Sequence, residues 1–545
     1  MAYLDTYTTP LTSATAAHLL RRATFGPTQQ EITDFTGKTA TQAVDILISN
    51  ASYRASPPPP VEMEENRPDS GQPFLTKPFA ANRSTTYYNY VQYWWIGLMT
   101  EQNGHPSVLE KLTAFWQNHF VVNFISSEDY RFTDRYIRFL RANALGNFRD
   151  LVIGITKDPA MLIFQNGNEN EKEHPNENYG RELQELFTVG QKDFAGNYNY
   201  TEQDVKEAAR VLTGWQATNR FKEGSTSFGT SFDPQRHDPG EKVFSAKYMN
   251  TIITGRTGAD AGDVELSDLT KMLLRHPETP KFICRKLYRW YVNSEVTQDI
   301  EDQVIVPLAT FFSSAGNNYA IAPVIVKLFT SNIFFNTGNI GAIVKSPAEL
   351  MIGTIRIFNQ SVPDITTEPG PFRVMMNYLS YSMTILQLNF LNQPSVFGSV
   401  PYYQTGYSKN WINGTTLGLR GSRTDSLVYP SLEIKPGYIL GINVLARLAS
   451  IQPNFSDVTG TPAISCEQVL ANFSNNLFAT ELSQTQKDFL IDKIMMMNSS
   501  PRTTWLREWN AYRAAPTDAQ TQGTILWRCR AMLKHMLRMA EYQIF

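Results

Sequence analysis

The chain has 545 residues, of which 42% are hydrophobic, 12% aromatic and 18% charged. That composition excludes collagen-like, coiled-coil and wholly disordered chains, and the length allows a large core without covalent staples. Lys+Arg number 49 against Asp+Glu 51, a net charge of −2, which excludes a generally basic nucleic-acid binder.

The start, Met1-Ala-Tyr-Leu-Asp5, has neither a basic n-region nor an apolar h-region, so no signal peptide is expected within it. Thr28-Gln29-Gln30-Glu31 after Pro27 forms a capping box: the threonine oxygen accepts from the third backbone N–H and the glutamate reaches back. Residues 54–83, with Pro57-Pro58-Pro59-Pro60, are expected to be an exposed, extended Pro-rich loop. The aromatics Tyr87, Tyr88, Tyr90, Tyr93, Trp94 and Trp95 suit a packed helix; stacking on sugars or bases is the sharper alternative.

Ser107-Val108-Leu109-Glu110 repeats the capping box and opens a helix through SVLEKLTAFWQNHFVV. At 100° per residue, Val108, Leu112, Phe115, Trp116 and Phe120 share one arc with His119 at its centre. A buried histidine needs a hydrogen-bond partner. It is either a structural group bonded to a carbonyl or carboxylate, or a tuned base or metal ligand.

Glu171-Lys172-Glu173-His174 has the spacing of a di-iron helix motif, but Pro175 follows at once and the pair stands alone, so no such site is expected. The next segment, Pro175 to Phe187, places Glu177, Arg181 and Glu185 at i, i+4, i+8 with Glu182 beside them. A solvated face with weak Glu–Arg pairs is one reading. The other is a cluster of carboxylates around one arginine that binds a cation or shares a proton. Gly190 and Gly214 mark helix stops, and Thr201-Glu202-Gln203-Asp204 another capped start. In the turn-rich Phe232–Lys242 loop, Asp233, His237 and Asp238 are candidate ligands for Zn, Mn or Fe; turn chemistry alone also explains Asp–Pro pairs.

Ser346-Pro347-Ala348-Glu349 is a fourth box with proline at the first helical position. Residues 360–435, rich in Tyr, Asn, Gly, Ser and Pro, show no sustained period and are expected to form a long loop or a small β-containing subdomain. The stretch Thr517–Tyr542 reads as an amphipathic packed helix with Leu526, Cys529, Leu533, Met536 and Leu537 on one side. The cysteines Cys284, Cys466 and Cys529 are distant and odd in number, which argues against a disulfide framework or a thiolate metal site. No apolar run of about 18 residues spans a bilayer. HExxH, GxSxG, Walker and EF-hand patterns are absent. Four capped starts against no clear hairpin make the expected fold mainly α.

Ordered segments along the chain resemble the bacterial family catalogued as domain of unknown function 1800, a group of mostly exported proteins. They are His18–Thr28, Glu110–Phe120, Pro175–Gly190, Tyr200–Trp215, Phe232–Lys242 and His276–Val292, then Pro394–Gly398 and Trp411–Asn413. The resemblance implies one mainly helical unit over 1–545, located outside the cytoplasm (periplasmic or secreted). It brings no established reaction. The family's glycine-rich stretch between the last two segments is replaced here by Ser399–Tyr407, so a pocket shaped there would take a different ligand.

The leading expectation is a hydrolytic enzyme acting on a polymeric or glycan substrate. His119, Glu177, Arg181, Glu182 and Glu185 would share one polar cleft as catalytic groups. Trp116, Asn118, Trp411 and Asn413 would contact substrate. Asp233, His237 and Asp238 would close the site or hold a divalent metal. Carboxyl and imidazole groups with opposed pKa shifts would supply acid and base near neutral pH. The alternative is a non-catalytic cell-surface or secretion-associated protein, with a protein partner or glycan on its tyrosine- and asparagine-rich loops. A metal-stabilised scaffold is the third reading, and nucleic-acid binding is not expected.

Overall fold

Helix starts follow the side-chain caps. Thr28, Thr201 and Ser346 each accept from the third backbone N–H of their helix while Glu31, Asp204 and Glu349 return the bond. The computed structural model describes residues 2–101, 104–475 and 477–545, and 55% of the chain is helical. Its strands among these residues form three two-stranded antiparallel sheets: β1 (Trp215–Thr218) with β2 (Gly229–Phe232), β3 (Lys242–Val243) with β4 (Ile252–Ile253), and β5 (Glu433–Lys435) with β6 (Tyr438–Ile439). In the first, Trp215 faces Phe232 across the ladder.

The helices that position the site are α1 (Ser13–Ala23), α2 (Ser84–Thr100), α3 (Leu109–His119), α4 (Tyr130–Asn143), α5 (Glu177–Glu182), α6 (Glu202–Val211), α7 (Ala261–Arg275), α8 (Glu278–Tyr291), α9 (Pro347–Ile357), α10 (Pro369–Ile385), α11 (Thr416–Val428) and α12 (Ala519–Arg538). Gly190 and Gly214 follow α5 and α6 in the left-handed region, with φ of +82° and +93°, where glycine ends a helix without a Cβ clash. One hydrophobic cluster runs from α1 to α12 and takes in the aromatics of α2. Among the described residues no helix is long and apolar enough to cross a membrane.

Three expectations are corrected. The box at Ser107 does not close. Glu110 turns inward, where it accepts from Arg141 of α4 at 2.9 Å and from the Trp95 indole at 3.1 Å, and Ser107 accepts from Leu109 instead. A buried guanidinium outcompetes a cap because an unpaired buried charge costs more than a frayed helix end. Second, residues 54–83 are not exposed throughout: Val61, Glu62, Met63, Phe74 and Phe79 are buried. The Trp94 indole donates to the Pro58 carbonyl at 2.6 Å, and Arg83 pairs with Glu62.

Third, of the two readings of residues 360–435 the long loop is removed, since the stretch contains α10 and α11 with the β5 strand. Helix α10 packs against α2, α9, α11 and β5. Its buried face of Phe372, Met375, Met376, Leu379 and Met383 keeps a helical period, with Asn377, Tyr381 and Thr384 exposed opposite; that period was present in the sequence, hidden among turn-forming Pro, Asn, Ser and Tyr residues.

Candidate functional site

His119 closes α3 inside an aromatic shell of Phe115, Trp116, Phe120, Phe148, Phe187 and Phe282. Its Nε2 lies 3.0 Å from the Phe187 carbonyl, which assigns the Nε2–H tautomer. Burial, reinforced by the Lys286 charge, holds its pKa well below the usual imidazole range. The ring is a neutral structural group, sealed from solvent.

The acidic residues of α5 lie elsewhere. Glu177 and Arg181 are 3.5 Å apart, and Arg181 makes a two-pronged pair with Glu202 of α6, at 2.8 and 2.6 Å. After Glu182 the helix widens into a π-turn over Leu183–Thr188, so the i+8 stripe breaks and Glu185 accepts instead from the Tyr200 hydroxyl. Glu182 is half-buried. Burial and the neighbouring Glu185 carboxylate push its pKa up to about 7.

The Phe232–Lys242 loop is tied to backbone and cations. Asp233 caps its own turn by accepting from Gln235 N. Asp238 accepts from Arg210 at 2.6 Å. His237 is buried, its Nδ1 3.0 Å from the Thr213 carbonyl; Nε2 lies 3.2 Å from Glu265 but off the line of a hydrogen bond. Glu265 in turn holds Lys242 at 2.6 Å. Among the described residues no three His, Cys, Asp or Glu side chains gather as metal ligands. The expected metal set Asp233, His237 and Asp238 is therefore spent on folding the loop.

The structure thus does not collect His119, Glu177, Arg181, Glu182, Glu185, His237 and Asp238 around one hollow. None of them lines the cavity beside Lys286 or any of four other well-formed cavities among the described residues.

A different constellation does face a cavity. A partly open cavity is bounded by Phe115 and Asn118 of α3, Lys286, Arg289 and Trp290 of α8, Glu349 of α9, and Tyr402, Tyr407 and Trp411 of the segment before α11. Lys286 has no hydrogen-bond or ion-pair partner among the described residues; its ammonium sits 5.2 Å from the centroid of the Phe282 ring. Burial, with the Arg289 charge, pushes its pKa down to about 7. The Arg289 guanidinium lies 4.6 Å over the Tyr407 ring, and its Nε and the Trp290 Nε1 are buried donors with no partner. Trp290 stacks 4.3 Å from Tyr402, which meets Trp411 edge-on at 5.5 Å.

Two of the four expected substrate contacts, Asn118 and Trp411, line this cavity. Trp116 does not; it is fully buried and donates to the Ala144 carbonyl at 3.0 Å. Asn413 caps α11, accepting from Thr415 and Thr416 N–H groups at 3.0 Å each.

The sequence matches the family described as "Protein of unknown function (DUF1800)" over residues 18–544. The chain belongs to that family. No curated protein and no solved structure matches it. Segments far apart in the family pattern meet at the cavity. Asn118 Oδ1 accepts from Ser399 N at 2.9 Å, and Gln117 accepts from Gln393 at 3.0 Å. Gly398 is held against Asn118 so closely that a Cβ would stand 2.5 Å from its Oδ1, so only glycine closes this corner.

Sequence reasoning missed Lys286, Arg289 and Trp290, although they lie inside the His276–Val292 segment. The available signal was their spacing: i, i+3 and i+4 put two cations and an indole on one stripe of α8 with no acid at i±4 of Lys286.

Proposed function

We propose that this protein binds an acidic carbohydrate, the carboxylate-bearing end of a glycan, in the cavity between α3, α8 and the Tyr402–Trp411 segment. The supporting observation is the pairing of two cations with no ion-pair partner among the described residues, Lys286 and Arg289, with the rings of Trp290, Tyr402, Tyr407 and Trp411. Charged donors recognise the carboxylate. The aromatic rings and the unpaired Trp290 N–H suit a sugar ring and its hydroxyls. Asn118, fixed by Ser399, shapes the wall. Such a role keeps the glycan expectation while moving it from the acidic helix to α8; a location outside the cytoplasm is part of the same proposal, and cell fractionation tests it.

Calorimetric titration with a glucuronate-terminated disaccharide tests the reading. Saturable binding is expected, absent for the neutral glucose disaccharide. Loss of one charge-assisted hydrogen bond, worth about 1.5–3 kcal/mol, weakens affinity tenfold or more in Lys286→Met and in Arg289→Met. Affinity also falls as pH rises above about 7, because the free-state ammonium of Lys286 is lost there. Equal binding of neutral and acidic sugars, or none of either, overturns it.

One observation favours a second reading, the hydrolase. Glu182 keeps its proton to about pH 7 beside Glu185, and a carboxyl pair with separated pKa values can act as acid and base. In that case Glu182→Gln abolishes turnover of an acidic polysaccharide and removes the alkaline limb of its pH profile. An unchanged profile removes the reading.

A further inference from the structure

The second cavity lies beyond the wall formed by Glu349 and Phe545, which it shares with the first. Lys345 lines it together with Arg21 and Tyr542. Lys345 is only 7% exposed. Its ammonium lies 3.6 Å from the centroid of the Tyr542 ring and has no hydrogen-bond or ion-pair partner among the described residues. Its strongest charged neighbours, Arg21 and Arg420, have its own sign. Arg420 donates through Nε to Gln543 and through Nη2 to the Lys345 carbonyl, and its Nη1 is buried with no partner.

Glu349 is the one side-chain carboxylate among the lining residues, and it is already engaged. It accepts from the fully buried Lys111 and from the Ser346 N–H at the start of α9. That side-chain carboxylate is therefore taken by Lys111 and leaves none for Lys345, with guanidinium groups close by. The Tyr542 face helps Lys345, but a ring quadrupole supplies much less than a counter-charge. Burying an ammonium without an anion is costly enough that proteins ordinarily pair or neutralise it.

We propose that this second, narrow cavity holds a small oxyanion bound to the Lys345 ammonium. The chemistry that fits is a phosphate, sulfate or carboxylate group, admitted singly by the narrow space and balanced by Lys345 and its guanidinium neighbours. The site is separate from the Lys286 cavity and does not depend on what that cavity binds.

Thermal unfolding and calorimetry of the full chain, with sodium phosphate, sulfate or acetate against sodium chloride at equal ionic strength, test the proposal. A saturable rise in Tm with at least one oxyanion and none with chloride is expected. A preference between tetrahedral and planar ions separates a phosphate or sulfate site from a carboxylate site. Lys345→Met and Lys345→Gln are expected to lose the rise, weakening affinity at least tenfold, while being no less stable than wild type in chloride. Lys286→Met is expected to keep it, so a failure here is distinct from a failure of glycan binding. No oxyanion-specific rise in the wild type, or a rise undiminished in the Lys345 variants, overturns the proposal. A selenate-soaked crystal decides without any variant: an anomalous peak beside Lys345 Nζ supports the site, and its absence overturns it.

Discussion

The α5–α6 side of the molecule and the wall built from α8 and α9 are both dense in ionisable residues, yet they spend them differently. On α5–α6 nearly every charge is answered locally: Arg181 by Glu202 and Glu177, Arg210 by Glu207 and Asp238, Lys242 by Glu265. On the other wall Lys286, Arg289 and Lys345 face empty space with no carboxylate of their own. The number of charged residues in a segment therefore says little about a site. What marks one is a polar group that the fold has desolvated and left unpaired, since such a group is stabilised when a ligand arrives.

The largest expected effect probes the single carboxylate on the cation-rich wall. Glu349→Leu removes the partner of Lys111 and should cost about 3–5 kcal/mol in urea unfolding, the usual penalty for orphaning a buried charge. Lys111→Met combined with Glu349→Leu should recover most of that loss. No recovery in the double variant would show that the wall is not organised by charge.

A smaller effect concerns Lys286. Its folded pKa, about 7, lies below that of an unfolded lysine, so between pH 7 and about 10 the unfolded chain binds the extra proton and stability rises with pH. Lys286→Met should flatten this slope between pH 7 and 9.5 in denaturant titrations. A slope identical to wild type would mean that the ammonium is hydrated, and would break the contrast between the two regions.

Glu182 provides the opposite sign on the acidic side. Its folded pKa is raised to about 7, so the stability linked to its proton is present below the unfolded value near 4.3 and lost as pH rises through 7. Glu182→Gln should therefore be more stable than wild type at pH 8 and equal to it at pH 4. The smallest effect belongs to Arg181→Ala. Its pair with Glu202 is solvent-exposed, and a loss of only about 0.2–1 kcal/mol is expected, shrinking with salt. A loss several times larger would mean that α5–α6 is held by its charges after all.

Local signals proved legible where the physics is local. The boxes at Thr28, Thr201 and Ser346 need only four residues each, and all three form. The placement of His119 on the buried arc of α3 needs only helical periodicity. The box at Ser107 failed because Glu110 answers to Arg141, 31 residues away. Helix α10 does carry a helical stripe, Phe372, Met375, Met376, Leu379 and Met383, but it is set in a stretch whose Asn, Ser, Tyr and Pro content reads as loop. The π-turn at Leu183–Thr188 displaced Glu185 from the stripe that a regular 3.6-residue period predicts.

The candidate site divides in the same manner. Asn118 and Trp411 could be chosen from the segments that carry the family pattern, and both line the first cavity. Lys286 and Arg289 could not be chosen, because their significance is the lack of a partner, and that is a property of everything packed around them. By itself the sequence determined the mainly helical class, the family and the helix starts at Thr28, Thr201 and Ser346, since backbone caps and amphipathic periods act over a few residues. Which charges became compensated and which were left facing a cavity was decided only by tertiary packing, because desolvation and ion pairing depend on atoms brought together from distant parts of the chain.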